Sequence, residues 1–324
     1  MGKDDERKPD DQPFDGLDTS RFLDEDGELT DLQEMGRQGD LLLGAGSVEV
    51  VRSLAADRLA VTEDPDERLL CTMWLTRAAA SERDPKMVLF HLDKMVEDLD
   101  EDSPAYLRSM HAAFTAHPYL DLGDLDSALR AVRRSRELLE EAVSDEESVQ
   151  GLTDYEAAHV RNVVGKHAVS AQRAVLWYLT GNEMWEVLRA EAEGGLVKPV
   201  SSAEEAAFHQ ALADCEAADE NAGGALGHLM AAERAAVEAG ELPVACRVTC
   251  AQAALQLKYF EGSAARETFV RATEYLDAYL GTPDCEEDIL RELTYKWTVL
   301  RDEMLMRWIL SKLGPKPDEE RTTD

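Results

Sequence analysis

The sequence contains no long apolar run and no segment of the kind that directs a chain to a membrane. No stretch approaches the roughly 18 consecutive apolar residues that a spanning helix requires, so we expect no transmembrane segment. The opening residues, MGKDDERKPDDQ, have no apolar core and do not resemble a signal peptide. Both observations predict a cytoplasmic protein.

Positive charge is scarce. The 324 residues include 34 Lys and Arg against 67 Asp and Glu, which gives a formal net charge of −33. Such a chain is excluded as a general nucleic-acid binder, because binding to phosphates depends on lysine and arginine displacing counterions. Docking on an anionic membrane is disfavoured for the same electrostatic reason.

Cysteine is also scarce, and its placement indicates no disulfide framework. The chain has an odd number of cysteines at scattered spacings: Cys71, Cys215, Cys246, Cys250 and Cys285. We expect them to be reduced thiols of a cytoplasmic protein.

Motifs for catalytic or metal chemistry are missing as well. There is no GxxxxGK[ST] phosphate loop and no GxSxG nucleophile motif. Glu156 and His159 have the spacing of a di-iron ligand pair, but no second ExxH accompanies them. Cys246 and Cys250 share a helix face, but the two further ligands that zinc needs are absent. The sequence therefore predicts a non-enzymatic protein without catalytic residues, metal or cofactor.

What the sequence does contain is a globular share of apolar residues, 44%, arranged with the period of α-helices. Helix-start signals recur, including a proline at the first helical position after Asp64, Asp84, Ser103 and Thr282. Together with capping boxes and Gly- or Asn-containing breaks, they predict helix starts near residues 47, 65, 85, 104, 124, 154, 182, 203, 220, 242, 262 and 284.

This spacing predicts antiparallel helix hairpins that repeat about every 40 residues, with strand signals nearly absent. We therefore predict an all-α protein of about a dozen helices, arranged as a helix-hairpin repeat solenoid. The predicted organisation is an acidic, largely disordered arm over 1–40, a helical repeat domain over 41–313 and a disordered tail over 314–324. An acidic linker places a possible hinge near 144–153.

One segment carries a family pattern. His111–Leu138 holds a small residue, an aromatic residue, a Gly-Asp turn and a second small residue at regular spacings, namely Ala116, Tyr119, Gly123, Asp124 and Ala128. The pattern resembles the tetratricopeptide repeat, and further small-residue positions follow at Ala213, Ala225, Ala232, Ala253, Ala265 and Ala272. Pro118, the longer unit and the missing late proline depart from the family, and armadillo- or HEAT-like hairpins fit the unit length equally well. The resemblance implies a superhelical scaffold that binds segments of other proteins in a groove.

The composition carries a second resemblance. Ten lysines stand against 24 arginines, beside abundant acid and alanine. This balance resembles proteins of salt-in halophiles, especially haloarchaea, in which molar salt shortens the Debye length to about 3 Å and screens carboxylate repulsion. A GC-rich actinobacterial source is the alternative, which explains the arginine but not the charge.

Partner binding is the function that these observations favour. Asn162, Lys166 and Arg173 fall within about 40° of one another on one helix, opposite its apolar face. With Trp177 they are our candidates for a partner groove, since basic stripes of this kind resemble those with which some tetratricopeptide proteins hold a peptide carboxylate. The alternative is a regulatory sensor that binds a small ligand near Trp177, Tyr178 and Trp185.

The last predicted helix, within 283–312, is long and amphipathic. Its apolar face contains Leu290, Leu293, Trp297, Leu300, Met304 and Trp308. This face is expected either to cap the end of the helical array or to form the seam of a homodimer.

Overall fold

The structure is a computed structural model that describes residues 31–99, 103, 105–144, 154–260, 262–283 and 285–313. The described chain is all-α, with thirteen helices and no strand. In chain order they are α1 Asp31–Gly44, α2 Val48–Leu59, α3 Pro65–Ser81, α4 Pro85–Asp98, α5 Ala105–Asp121, α6 Leu125–Ser144, α7 Asp154–Gly181, α8 Trp185–Leu196, α9 Ser202–Ala218, α10 Ala222–Glu238, α11 Leu242–Tyr259, α12 Gly262–Leu280 and α13 Glu287–Leu313.

The all-α prediction is confirmed, and α2–α13 begin within three residues of their predicted starts. Helix α13 begins later than the Thr282-Pro283 signal, because the Tyr279 hydroxyl accepts the backbone N–H of Glu286 and ends the connecting turn. Helix α1 was not among the predicted starts, and it contains residues 31–40 of the predicted arm. The rest of the arm, the predicted hinge except for Ser144, and the tail 314–324 lie outside the described residues.

Six pairs of consecutive helices are joined by a turn of the same geometry. The residue two positions before the next helix has a positive φ between 56° and 76° in each pair, at Gly46, Arg83, Gly123, Glu183, Glu220 and Gly240. The following N–H then donates to the carbonyl five residues back, as from Asp124 to Tyr119 at 2.8 Å and from Asn221 to Glu216 at 2.8 Å. This is the Schellman pattern, which satisfies carbonyls that a helix end leaves without partners. Recurrence of the same turn supports the repeating hairpin that the sequence predicted.

The chain divides into two compact units, 1–175 and 176–324, and the division falls inside α7. In the first unit, each described helix from α1 to α6 packs on its neighbour in the sequence. One cluster joins Val51 and Ala55 of α2 to Cys71 and Trp74 of α3. A second joins α3 to α4 around Leu92, and Phe114 of α5 packs against it. The core is therefore built locally, from helix to neighbouring helix.

The second unit packs in the same order, and its core is rich in alanine. All eight alanines that the repeat pattern marked as small-residue positions are at most 2% exposed: Ala116, Ala128, Ala213, Ala225, Ala232, Ala253, Ala265 and Ala272. Such burial of small residues is what a close approach of paired helices requires. Helix α13 closes this unit, because Leu293 and Leu300 are buried in a cluster with residues of α11 and α12.

The close contact between α8 and α9 requires a glycine in α8. A Cβ placed on Gly195 would lie 2.1 Å from Cζ of Phe208 in α9, whose ring is fully buried. A Cβ on the preceding Gly194 would meet nothing within 4 Å. The two neighbouring glycines of one helix therefore form a matched pair.

We expect Gly195→Ala to lower the free energy of unfolding by about 1–3 kcal/mol, since the buried Phe208 ring has no room to move aside. Gly194→Ala should raise it by up to about 1 kcal/mol, because alanine has the higher helix propensity. Urea denaturation followed by circular dichroism in molar KCl measures both. Equal stabilisation by the two substitutions would contradict this account of the α8–α9 contact.

Candidate functional site: a charged surface on the second unit

Arg247 is at the centre of the candidate site. It lies on α11, a helix that contains no acidic residue although the chain carries 67. Its guanidinium Nε and Nη2 donate to the two carboxylate oxygens of Glu292 on α13, each at 3.1 Å. A fork of two parallel bonds is the strongest geometry for an arginine–carboxylate pair. The pair therefore fixes α13 against α11.

Glu292 also forms an ion pair with a second positive side chain, which lies on its own helix. Lys296 Nζ lies 2.8 Å from Glu292 Oε1, one helical turn further along α13. Burial by itself would raise the pKa of Glu292, but the bonds from Arg247 and Lys296 lower it below its usual value. The carboxylate therefore stays ionised, and two positive groups share it.

Trp177 presents an exposed indole beside this cluster. The ring is 56% exposed, and Cζ of Arg247 lies 5.9 Å from its centroid, at the outer limit of a cation–π contact. The Arg247 side chain is only 14% exposed, so its stem packs into the surface while the guanidinium reaches Glu292. Large aromatic and arginine side chains on one surface are typical of the energetic centre of protein interfaces.

Asp214 of α9 completes the site. Burial raises the pKa of this carboxyl to about 6, and the positive charge of Lys296 only partly opposes that effect. Together, Trp177, Asp214, Arg247, Glu292 and Lys296 form what we call the charged surface. Two positive groups, one firmly ionised carboxylate and one readily protonated carboxyl leave it neutral or slightly positive, on a chain of charge −33.

No known protein family, curated protein or solved structure matches the chain. The function of the charged surface therefore has to be inferred from its own chemistry. In the described part of the chain, no helix has the length and apolarity needed to cross a bilayer. The same residues hold no cluster of three or more histidine, cysteine or acidic side chains suited to a metal ion.

The four predicted groove residues all lie on α7 but belong to different units. Asn162, Lys166 and Arg173 fall in the first unit, where Lys166 is exposed, Arg173 is half-buried and the side chain of Asn162 lies outside what is described. Trp177 falls in the second unit and reaches Arg247. Of the four, the structure thus brings only Trp177 to the charged surface.

The other four members of the charged surface, Asp214, Arg247, Glu292 and Lys296, were missed because they are far from Trp177 in the sequence. They lie on three different helices: Lys296 of α13 is near enough to Asp214 of α9 to act on its pKa, and it shares Glu292 with Arg247 of α11. One signal was available beforehand, namely the absence of acid from 242–259 in so acidic a chain. Tyr178 and Trp185, the aromatic residues proposed for a small ligand, are half-buried.

A histidine pair between α9 and α10 also escaped the sequence analysis. The Nδ1 atoms of His209 and His228 lie 3.1 Å apart, so one ring must donate a proton to the other. Burial, followed by the charge of His228, lowers the pKa of His209, while Glu205 at 3.8 Å from its Nε2 opposes this. The pair is therefore a polar bond within the α9–α10 hairpin rather than a pair of exposed titratable groups.

A buried polar network holds the helices behind the charged surface. Glu233 of α10 accepts bonds from Arg271 Nε at 3.0 Å, Gln252 Nε2 at 2.7 Å and the Tyr275 hydroxyl at 3.1 Å. Burial would raise the pKa of Glu233, but these donors lower it. Because the donors come from α11 and α12, one carboxylate sets the register of three helices.

We expect Arg271→Leu to lower the free energy of unfolding by about 2 kcal/mol, because it leaves Glu233 ionised, buried and short of donors. The loss should be smaller than for a fully buried pair, since 42% of the Arg271 side chain is exposed and water can enter. Arg266→Leu, on the exposed face of the same helix, is the control and should change stability by less than about 0.5 kcal/mol. Denaturant titration of both variants measures the difference, and equal values would contradict the role assigned to the network.

Proposed function

We propose that this protein is a non-enzymatic interaction scaffold that binds a peptide or protein partner at the charged surface. The observation that carries the proposal is the exposed indole of Trp177 beside the packed guanidinium of Arg247. Trp and Arg are the residues most enriched among those that dominate binding energy, and an indole exposed to this degree has apolar area to bury.

The chemistry of the surface favours a partner segment that combines an apolar or aromatic side chain with a carboxylate. The apolar group would cover Trp177, and the carboxylate would be drawn to Arg247 and Lys296, competing with Glu292. Elsewhere on the chain the excess of acidic residues repels the carboxylate of such a segment. The segment should therefore bind preferentially at the charged surface.

We propose further that the hairpins continue as a tetratricopeptide-like solenoid. Two findings support this: the same Schellman turn recurs at six helix ends, and the small-residue positions of the repeat pattern are buried. In repeat proteins of this kind, each hairpin is stabilised mainly by its neighbours.

The binding proposal is tested by affinity capture from native lysate in molar KCl, followed by titration of the captured partner. We expect Trp177→Ala to weaken binding by about 30-fold, the effect of losing a residue worth about 2 kcal/mol. The control is Tyr259→Ala, which removes a half-exposed aromatic ring of α11 that is not part of the charged surface. This variant should bind like the native protein. The same titration with Lys166→Glu and Arg173→Glu tests the predicted stripe on the first unit. Binding that none of these substitutions weakens would refute both locations.

The net charge leads to a separate proposal, that the protein is adapted to high salt in the manner of haloarchaeal proteins. Some arginines on the described surface form ion pairs with two carboxylates each. Arg189 pairs with Glu216 and Asp219. Arg291 pairs with Glu287 and Asp288. Acid nevertheless remains in large excess, and only dissolved cations can screen it.

We therefore expect the helical circular dichroism signal to fall below about 0.5 M KCl, as the Debye length grows and carboxylate repulsion extends over neighbouring helices. An osmolyte such as sucrose at equal osmolality is the control, because it does not screen charge. A melting temperature that is the same in dilute buffer and in molar KCl would rule out the adaptation and leave the fold unaffected.

A further inference from the structure

Helix α13 has two apolar faces, and the second unit uses only one of them. The face on which the sequence analysis placed either a cap or a dimer seam packs inward: Leu293 and Leu300 are buried, and Trp297 and Met304 pack against the same cluster. That face is therefore occupied within the second unit as far as Met304, while Trp308 at its end is 52% exposed. A homodimer through this helix would have to use its other side.

The outer face of α13 carries an exposed apolar stripe. Its members are Tyr295, Val299, Met306 and Leu310, with exposed fractions of 70%, 49%, 55% and 61%. Their spacing matches a heptad with Val299 and Met306 at a positions and Tyr295 at a d position, and half-buried Ile309 occupies a further d position. Such spacing suits a second helix lying alongside rather than a globular surface.

We propose that two copies of this chain associate through the outer faces of their α13 helices, arranged antiparallel. The four stripe residues and the flanking Leu305 expose on the order of 100 Å² each, which brings both copies together near the lower limit of a specific interface. A two-fold axis makes the contact self-complementary, so one stripe supplies both sides.

Charges on the rim select a second copy as the occupant and set its direction. A parallel pair would bring Asp302, at the remaining d position, against its own equivalent, and two facing carboxylates repel. An antiparallel pair centred between residues 300 and 301 instead brings Lys296 of each copy towards Glu303 of the other, where each also keeps a partner on its own helix, Glu292 for Lys296 and Arg307 for Glu303. Lys296 and Glu303 both lie at e positions, which in coiled coils determine partner choice and orientation.

Net charge adds a dependence on salt. Each copy carries −33, so long-range repulsion opposes association in dilute buffer and is screened at molar salt. The dimer should therefore tighten as KCl is added while the native fold is retained. Lys296 belongs both to the charged surface and to the rim of this contact, whereas Trp177 is not part of the stripe, so Trp177→Ala should leave the association unchanged while weakening partner binding.

Sedimentation equilibrium of the full chain in molar KCl at micromolar concentrations is the first test, with a dimer as the expected result. Val299→Glu combined with Met306→Glu should weaken the association at least tenfold. The matched control, Val237→Glu combined with Val270→Glu, adds the same two charges at exposed apolar positions of α10 and α12 and should dimerise like the native chain. A native chain that sediments as a monomer, or a dimer that both double variants weaken equally, would overturn the proposal.

A charge exchange tests the antiparallel direction. Lys296→Glu and Glu303→Lys should each weaken self-association, because each places like charges opposite one another twice. An equimolar mixture of the two variants should recover native affinity, since every rim contact then joins opposite charges. Circular dichroism confirms that each variant is folded, and a mixture no tighter than its components would rule out this arrangement.

Discussion

The close approach of helices through alanine and glycine is the constraint on which the rest of this structure depends. An alanine buries little apolar surface, so an alanine-rich interface stabilises a fold only if the backbones lie near each other. Ala232, Ala253 and Ala272 are completely buried in the second unit, and Phe208 is the largest fully buried side chain of the described chain. Two of the largest buried side chains, Trp74 and Phe208, each lie against a glycine, Gly39 and Gly195.

The close packing of the helices restricts where buried polar groups can lie. Close helices leave narrow gaps between them, and a long side chain that lies in such a gap must satisfy its polar atoms there. Glu233 does so by accepting bonds from Arg271, Gln252 and Tyr275. Trp177, by contrast, is half exposed, and it meets the packed side chain of Arg247 at the surface.

The sequence predicted the helices well because their boundaries are local. Proline at a first helical position and glycine in a left-handed turn act within a few residues, so the starts of α3 and α4 follow from Asp64-Pro65 and Asp84-Pro85 alone. The candidate site could be predicted only for Trp177, since it joins residues of four helices, and Arg247 and Glu292 are 45 positions apart in the sequence. For α13, periodicity identified an apolar face but not the element that covers it. That choice depends on the packing of the whole unit.

A net charge of −33 affects which interactions can determine binding specificity. At molar salt the Debye length is about 3 Å, so repulsion between distant carboxylates disappears. The Arg247–Glu292 fork, at 3.1 Å, has no room for an ion between its partners, and the Arg247 side chain is only 14% exposed, although 42% of the Glu292 side chain is. Contacts of this length persist where long-range attraction and repulsion are both screened. In the function proposed above, recognition at molar salt would therefore rest on groups already packed against each other, such as the Arg247–Glu292 pair of the charged surface.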